Sequence, residues 1–184
     1  MFNLMDRITL HDKTFVPYIP YEKIMSSIDA VAAQLNADFK GTGKVPVLLC
    51  VLNGSIMFTA EIMKRLEFDC ELVSTKLSSY EGTSSSGQVK QALGLTSDIT
   101  GKTVIVIEDI VDTGNTIVEL DRILREKGAS DIRMCTMLLK PEVYDKDIKL
   151  DYVAMEIDNS FIVGFGLDYN QLGRNYKDIY ILEK

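Results

Sequence analysis

Residues 104–117 read VIVIEDIVDTGNTI. Three carboxylates, Glu108, Asp109 and Asp112, follow an aliphatic run and adjoin Thr113, Gly114, Asn115 and Thr116. If Thr103 to Ile107 is a strand and a helix begins near Thr116, the turn between them points successive backbone N–H groups outward at a helix start. Unpaired amides plus the positive end of the helix dipole make an anion site. Gly114 permits positive φ and close approach of a ligand, and Thr113 and Thr116 add hydroxyl donors. One phosphate fits there. Glu108 and Asp109 would repel it unless they bind something else on the same ligand. Ribose hydroxyls donate well to carboxylates, and a hydrated Mg²⁺ could bridge. A 5′-phosphate on the turn and a ribose diol on the acid pair together specify a ribose 5-phosphate. The plain alternative is an acidic N-cap, with Asp112 capping the helix and the other acids solvated at the strand end. It accounts for one acid and leaves two.

The elements that must carry these residues follow from hydrophobic spacing. Ile24, Ile28, Val31, Leu35 and Phe39 recur at helical intervals, closed by Gly41. VPVLLCVL is a continuous aliphatic run, the pattern of a strand buried on both faces. Asn53-Gly54-Ser55 then turns into a helix over about Ile56 to Leu66. CELVSTKL predicts the next strand, and SSYEGTSSSGQ, residues 78–88, predicts an exposed mobile loop. VKQALGL predicts a short strand and KTVIVIED a second buried one. A helix over Asn115 to Lys127 ends at Gly128. DIRMCTMLLK and YVAMEI predict further strands, FIVGFGLDY an extended segment, and DIYILE a last edge strand. Alternating strands and helices imply βαβ units and an α/β domain: a central, mostly parallel sheet with helices on both faces. Ligands bind such sheets beyond the carboxyl ends of the strands. Asn53-Gly54 and Glu108 to Thr116 both lie at such ends.

Bulk properties narrow the classes. The 184 residues, 46% hydrophobic, suit a single domain spanning 1–184. The net charge of −7 argues against nucleic-acid binding through a basic face. The longest apolar run, Val45 to Leu52, contains Pro46 and is far short of the roughly 20 residues of a membrane span. The N-terminus has no signal-peptide pattern. Cys50, Cys70 and Cys135 read as buried free thiols in a reducing cytoplasm. With a single histidine, His11, neither a His–Cys zinc cluster nor a Ser–His–Asp triad is easily built. His11 itself reads as solvated and without function. No Gly-x-Gly-x-x-Gly follows an early strand, which weighs against a Rossmann dehydrogenase.

VIVIEDIVDTGNTI resembles the phosphoribosyl-diphosphate binding motif of type I phosphoribosyltransferases: aliphatics, two acids, two aliphatics, then Asp-Thr-Gly-x-Thr. VLNGSIMF resembles the diphosphate-binding loop of that family, and SSYEGTSSSGQVK its flexible Ser-Tyr loop, with Ser79 and Tyr80. LLKPE and FIVGFGLDYNQLGR resemble the purine-binding segments of its 6-oxopurine members. Together these segments cover most of residues 45–176, in order. The resemblance implies the type I fold, with a small hood formed by the terminal segments. It also implies transfer of the 5-phosphoribosyl group from phosphoribosyl diphosphate to hypoxanthine or guanine, giving IMP or GMP and diphosphate. A homodimer or homotetramer follows from the same source, and the free thiols point to a cytoplasmic location.

Residue roles implied by the resemblance are as follows. Asp112 is the acid–base residue, accepting a proton from the imidazole nitrogen of the purine. Thr113, Gly114, Asn115 and Thr116 hold the 5′-phosphate. Mg²⁺ spans the ribose hydroxyls and the diphosphate near Glu108 and Asp109, with Asp168 on a second ion. Asn53, Gly54 and Arg174 hold the diphosphate, and the loop closes as a lid. Lys140 ends a strand, and an ammonium can only donate: a 6-oxopurine offers it an acceptor, whereas adenine opposes it with an amine. Taken alone, Lys140 is equally an ordinary strand-end lysine. Phe161 stacks on the base or is simply core, and Ile162 touches the base edge through its backbone. Asn53 stands where some relatives carry a basic residue, and Ser160 where some carry lysine. Two other readings stay open: a phosphoribosyltransferase selective for xanthine or a pyrimidine, and a non-catalytic sensor of phosphoribosyl diphosphate.

Overall fold

A computed structural model describes residues 7–78, 90–93 and 95–183. The chain opens with β1 (Ile8–Leu10) and β2 (Lys13–Ile19), followed by α1 (Tyr21–Phe39), β3 (Val47–Val51) and α2 (Ile56–Met63). Then come β4 (Glu71–Ser78), β5 (Lys90–Leu93), β6 (Thr103–Val111), α3 (Asn115–Glu126), β7 (Asp131–Leu139), β8 (Tyr152–Glu156), β9 (Ile162–Val163) and β10 (Ile179–Leu182). The predicted α/β architecture is present. A six-stranded sheet runs β5-β4-β3-β6-β7-β8, parallel except for the antiparallel edge strand β5.

Every residue of β3 is buried, as its unbroken aliphatic sequence requires. Alternation along β6 divides the core. Ile105 and Ile107 pack with Leu48 against α1 and α2 through Ile28, Phe58 and Ile62. Val104 and Val106 pack with Val47 and Leu49 against α3 through Ile117, Leu120 and Leu124. The chain leaves β3 for β4 on one side and later places β6 on the other. The sheet therefore switches direction between β3 and β6, where a crevice opens beyond their carboxyl ends.

The terminal segments build a second, antiparallel sheet of order β1-β2-β10-β9, the expected hood. DIYILE is not an edge strand of the main sheet: β10 lies inside the hood, between β2 and β9. The N-terminal strands escaped the sequence reading because Pro17 interrupts β2. Pro17 lacks a ladder donor, and the register shift in β10 between Ile179 and Tyr180 lies opposite it. The Asp178 carboxylate, just before β10, accepts a hydrogen bond from the first amide of α1 at Tyr21, 2.7 Å, and so ties the hood to the main domain. Several boundaries also differ. α2 stops at Met63 rather than Leu66, Ser78 belongs to β4 rather than the loop, and β6 runs on to Val111 because Ile110 and Val111 still pair with Leu138 and Leu139 on β7. Glu108 and Asp109 are thus strand residues. Cys50 and Cys135 are buried free thiols as expected, whereas Cys70 is only partly buried. No helix among the described residues is long and apolar enough to cross a membrane.

Candidate active site

The crevice between β3 and β6 gathers residues far apart in sequence. Asp109 leaves β6 on the face of Ile105 and Ile107, toward the turn that follows β3. A Cβ placed on Gly54 would lie 1.5 Å from Asp109 Oδ2, so the missing side chain of Gly54 is what admits this carboxylate. The other oxygen, Oδ1, accepts the Ile110 amide at 3.0 Å. A second glycine closes the crevice from above. Gly166 has φ +99°, and a Cβ there would lie 2.0 Å from the Gly54 carbonyl oxygen. The segment around Gly166 is braced by Arg174, whose Nη1 donates to the Gly166 carbonyl at 2.8 Å. Arg174 Nη2 pairs with Asp168 Oδ1 at 2.6 Å, and Asp168 Oδ2 accepts the Gln171 amide at 2.7 Å. Gly54, Asp109, Gly166, Asp168 and Arg174 therefore belong to one continuous set of contacts, with Asn53 the chain neighbour of Gly54.

Burial disfavours charge on the strand acids. It raises Glu108 well above the ordinary carboxyl range, with the Asp109 charge adding to the effect. Asp109 is raised to about 6, again chiefly by burial, with the Arg174 guanidinium opposing and Asp168 reinforcing the rise. A carboxyl with a raised folded-state pKa contributes stability that is complete below its unfolded value and is lost as pH climbs through the folded one. For Asp109 that window runs from 3.8 to about 6. The difference corresponds to on the order of 3 kcal/mol. In metal-free buffer, Asp109→Asn should therefore raise the melting temperature at about pH 7.5 and leave it little changed near pH 4. A calorimetric scan showing no gain at the higher pH would contradict this account.

The turn after β6 carries the amides. Gly114 is the N-cap of α3, with φ 79°, and no side chain caps the helix. The first-turn N–H groups thus lack a side-chain acceptor, and Thr113, Asn115 and Thr116 around them are exposed. Gly114 is needed for space as well as conformation: a Cβ would come within 2.5 Å of Tyr144 and 2.9 Å of Lys146. Asp112 is not the cap that the plain reading allowed. Its Oδ2 accepts a hydrogen bond from Lys140 Nζ at 3.1 Å. Lys140 is 7% exposed, not a solvated strand-end lysine. Its ammonium also donates to Asn159 Oδ1 at 3.3 Å. Phe161 is 44% exposed and so is not a core residue. Its ring contacts Phe15 at 6.0 Å and Tyr169 at 5.7 Å between centroids. Ile162 is buried in β9.

Asn159, Tyr144 and Tyr169 escaped the sequence reading. None carries a local signal, and their roles arise from contacts across loops. Ser79 and Tyr80, with the rest of the expected lid over 79–88, lie outside the described residues. Among the described residues no group of three or more His, Cys, Asp or Glu side chains gathers to cage a metal. Asp109 and Asp168 instead offer hard oxygen donors on one wall of the crevice. That suits a hydrated ion completed by ligand oxygens and water, the usual manner of Mg²⁺.

A parallel sheet with its switch point between β3 and β6, uncapped amides at α3 and carboxylates beside them define a sugar-phosphate-binding α/β fold. The phosphoribosyl transferase domain matches residues 20–170; the chain belongs to this family and is a pentosyl-transferring enzyme of the type I fold. Over 164 residues it is 40% identical to a hypoxanthine-guanine phosphoribosyltransferase of Streptococcus thermophilus, covering 89% of this chain and 90% of that protein. It superposes on a hypoxanthine-guanine phosphoribosyltransferase of Bacillus anthracis with TM-score 0.84 and 32% identity, over 92% of this chain and 97% of that one. A hypoxanthine phosphoribosyl transferase of Trypanosoma cruzi gives TM-score 0.85 and 31% identity, over 96% and 95%.

Proposed function

We propose that the protein serves purine salvage, transferring the 5-phosphoribosyl group from phosphoribosyl diphosphate to hypoxanthine or guanine with release of diphosphate. The observation that carries this reading is the Lys140–Asp112 pair, 3.1 Å apart at the mouth of β7 and α3. A 6-oxopurine presents O6 and N7 side by side on one edge. An ammonium beside a carboxylate complements that edge when N7 carries a proton: Lys140 donates to O6 and Asp112 accepts from N7–H. N9 then attacks the anomeric carbon, the bond to the diphosphate oxygen breaks, and the N7 proton passes to Asp112. Asn159 keeps Lys140 aimed at O6, Phe161 covers the ring, and the Ile162 backbone meets the base edge.

The remaining groups serve the sugar and the leaving group. The amides and hydroxyls of Thr113, Gly114, Asn115 and Thr116 hold the 5′-phosphate. Glu108 and Asp109 receive the ribose hydroxyls. The backbone at Asn53-Gly54 and the Arg174 guanidinium hold the diphosphate, and Ser79 and Tyr80 belong to a lid that keeps water from the anomeric carbon. Mg²⁺, held by Asp168 and Asp109 and completed by ligand oxygens and water, would neutralise charge on the departing diphosphate. The protein works in the cytoplasm as a homodimer or homotetramer, which sedimentation would establish.

Diphosphate release assayed with hypoxanthine, guanine, xanthine and uracil, with and without Mg²⁺, tests the reading. Hypoxanthine and guanine should support turnover that needs the ion; turnover confined to uracil or xanthine would refute it. Lys140→Met should lower kcat/KM for hypoxanthine by about 10- to 150-fold, the worth of a charge-assisted hydrogen bond. Unchanged initial rates in that variant would remove Lys140 from the base site.

A further inference from the structure

The turn between β1 and β2 grips the segment that follows Asp168. Tyr169 Oη donates to Asp12 Oδ1 at 2.7 Å. The Lys13 ammonium stands 5.5 Å from the Tyr169 ring centroid. The His11 ring meets Tyr169 edge-on, 5.6 Å between centroids at 80°, and its Nε2 lies 3.2 Å from the Asn170 carbonyl oxygen. Leu10 abuts Gly173, where an added Cβ would come within 2.9 Å of its Cδ1. The gripped segment is a tight reversal. Tyr169 and Leu172 bridge across it, and Asn170 and Gln171 both take positive φ, 47° and 72°. A turn of that kind, without glycine at its centre, persists where its surroundings hold it.

The inner edge of Tyr169 faces the base site. Its ring crosses that of Phe161 at 87° with centroids 5.7 Å apart. Phe15, fully buried, supports both rings at 6.0 Å and 6.2 Å. An exposed aromatic side chain left alone samples several rotamers, and edge-on neighbours select one. Through the chain, Tyr169 is also fixed to Asp168 and hence to Arg174.

We propose that Tyr169 is a positioning residue that holds the base-stacking Phe161 and the Asp168–Arg174 pair in one fixed relation, with the β1–β2 turn as its clamp. The proposal rests on the purine phosphoribosyltransferase reading of the crevice. The N-terminal hairpin thereby reaches both substrates without touching either. Loosening the clamp tilts the wall against the base and shifts the groups that receive the diphosphate together.

The test compares Tyr169→Ala, Tyr169→Phe and Asp12→Ala with wild type for melting temperature, kcat, and KM for hypoxanthine and for phosphoribosyl diphosphate. Tyr169→Phe keeps the ring edge and loses only the bond to Asp12. Tyr169→Ala should raise both KM values by about 2- to 10-fold, the worth of an aromatic pair. Tyr169→Phe and Asp12→Ala should raise both by a smaller, matching factor. A lowered melting temperature with both KM values unmoved would make the clamp merely structural and overturn the proposal. A change confined to hypoxanthine would overturn the link to Asp168. Should Tyr169→Ala fail to fold, the two milder variants decide. Wild-type protein inactive on hypoxanthine and guanine would refute the function reading instead, so the two failures are separable.

Discussion

Asp112→Asn should lower turnover by about 10²- to 10⁴-fold, the usual contribution of a placed general base, while phosphoribosyl diphosphate still binds. The substitution is close to isosteric. The amide oxygen can still accept from Lys140 Nζ, which reaches Asp112 Oδ2 at 3.1 Å in the native protein. What is lost is the ability to take the N7 proton as N9 attacks. The amides at the start of α3 are backbone groups and stay in place, since Gly114 and not Asp112 is the N-cap. Calorimetric titration with phosphoribosyl diphosphate and initial rates of diphosphate release separate the two effects. Turnover at the wild-type rate would sink the acid–base role of Asp112, and loss of binding would mean that the variant disturbs the phosphate turn.

Gly54→Ala should be comparably damaging by another route. The new methyl would overlap Asp109 Oδ2, the two atoms being only 1.5 Å apart if nothing moved. All three nearest atoms belong to the Asp109 carboxyl group, so that group must shift. Displacing a reacting or positioning group by about 1 Å costs on the order of 10²-fold in rate. The overpacking itself should cost about 1–3 kcal/mol of stability. A double substitution tests the cause. Asp109→Ala in the Gly54→Ala background removes the colliding carboxylate, so the melting temperature should recover most of its loss while activity stays low. If the double variant is no more stable than Gly54→Ala alone, the overlap is not what harms the protein.

The main sheet was legible because its strands announce themselves. Val47–Val51 and Val104–Ile107 are apolar throughout, and a strand covered on both faces calls for that composition. The phosphate turn was legible because Gly114 and its hydroxyl neighbours follow such a strand directly. The hood was harder: β1, β9 and β10 are short, and β2 contains Pro17. The pairing that joins the two ends, β2 with β10, brings together residues more than a hundred apart, as Tyr180 with Pro17 shows. The same limit explains the site. The acids at 108, 109 and 112 stand together in sequence and were seen together. The Asn159 contact to Lys140 and the cover of Tyr144 over Gly114 join separate loops, and no local pattern encodes them. The plain readings of Asp112 as a cap and of Lys140 as solvated were reasonable by composition. They fail because Gly114 caps the helix and because Lys140 is buried with its ammonium paired to Asp112.

The pairing of β10 with β2 has a consequence for synthesis. Domains form from the N-terminus as the chain emerges from the ribosome. Here β3, β4, β6, β7 and β8 can assemble with their helices while β2 still has only β1 beside it. The hood must wait for β10, and with it the carboxylate of Asp178 that anchors the start of α1. A nascent chain that has emerged only through β8 thus carries a nearly finished sheet and an open base pocket, with the apolar face of β2 unshielded. That interval, rather than any stage of the finished enzyme, is when its apolar surface is most exposed.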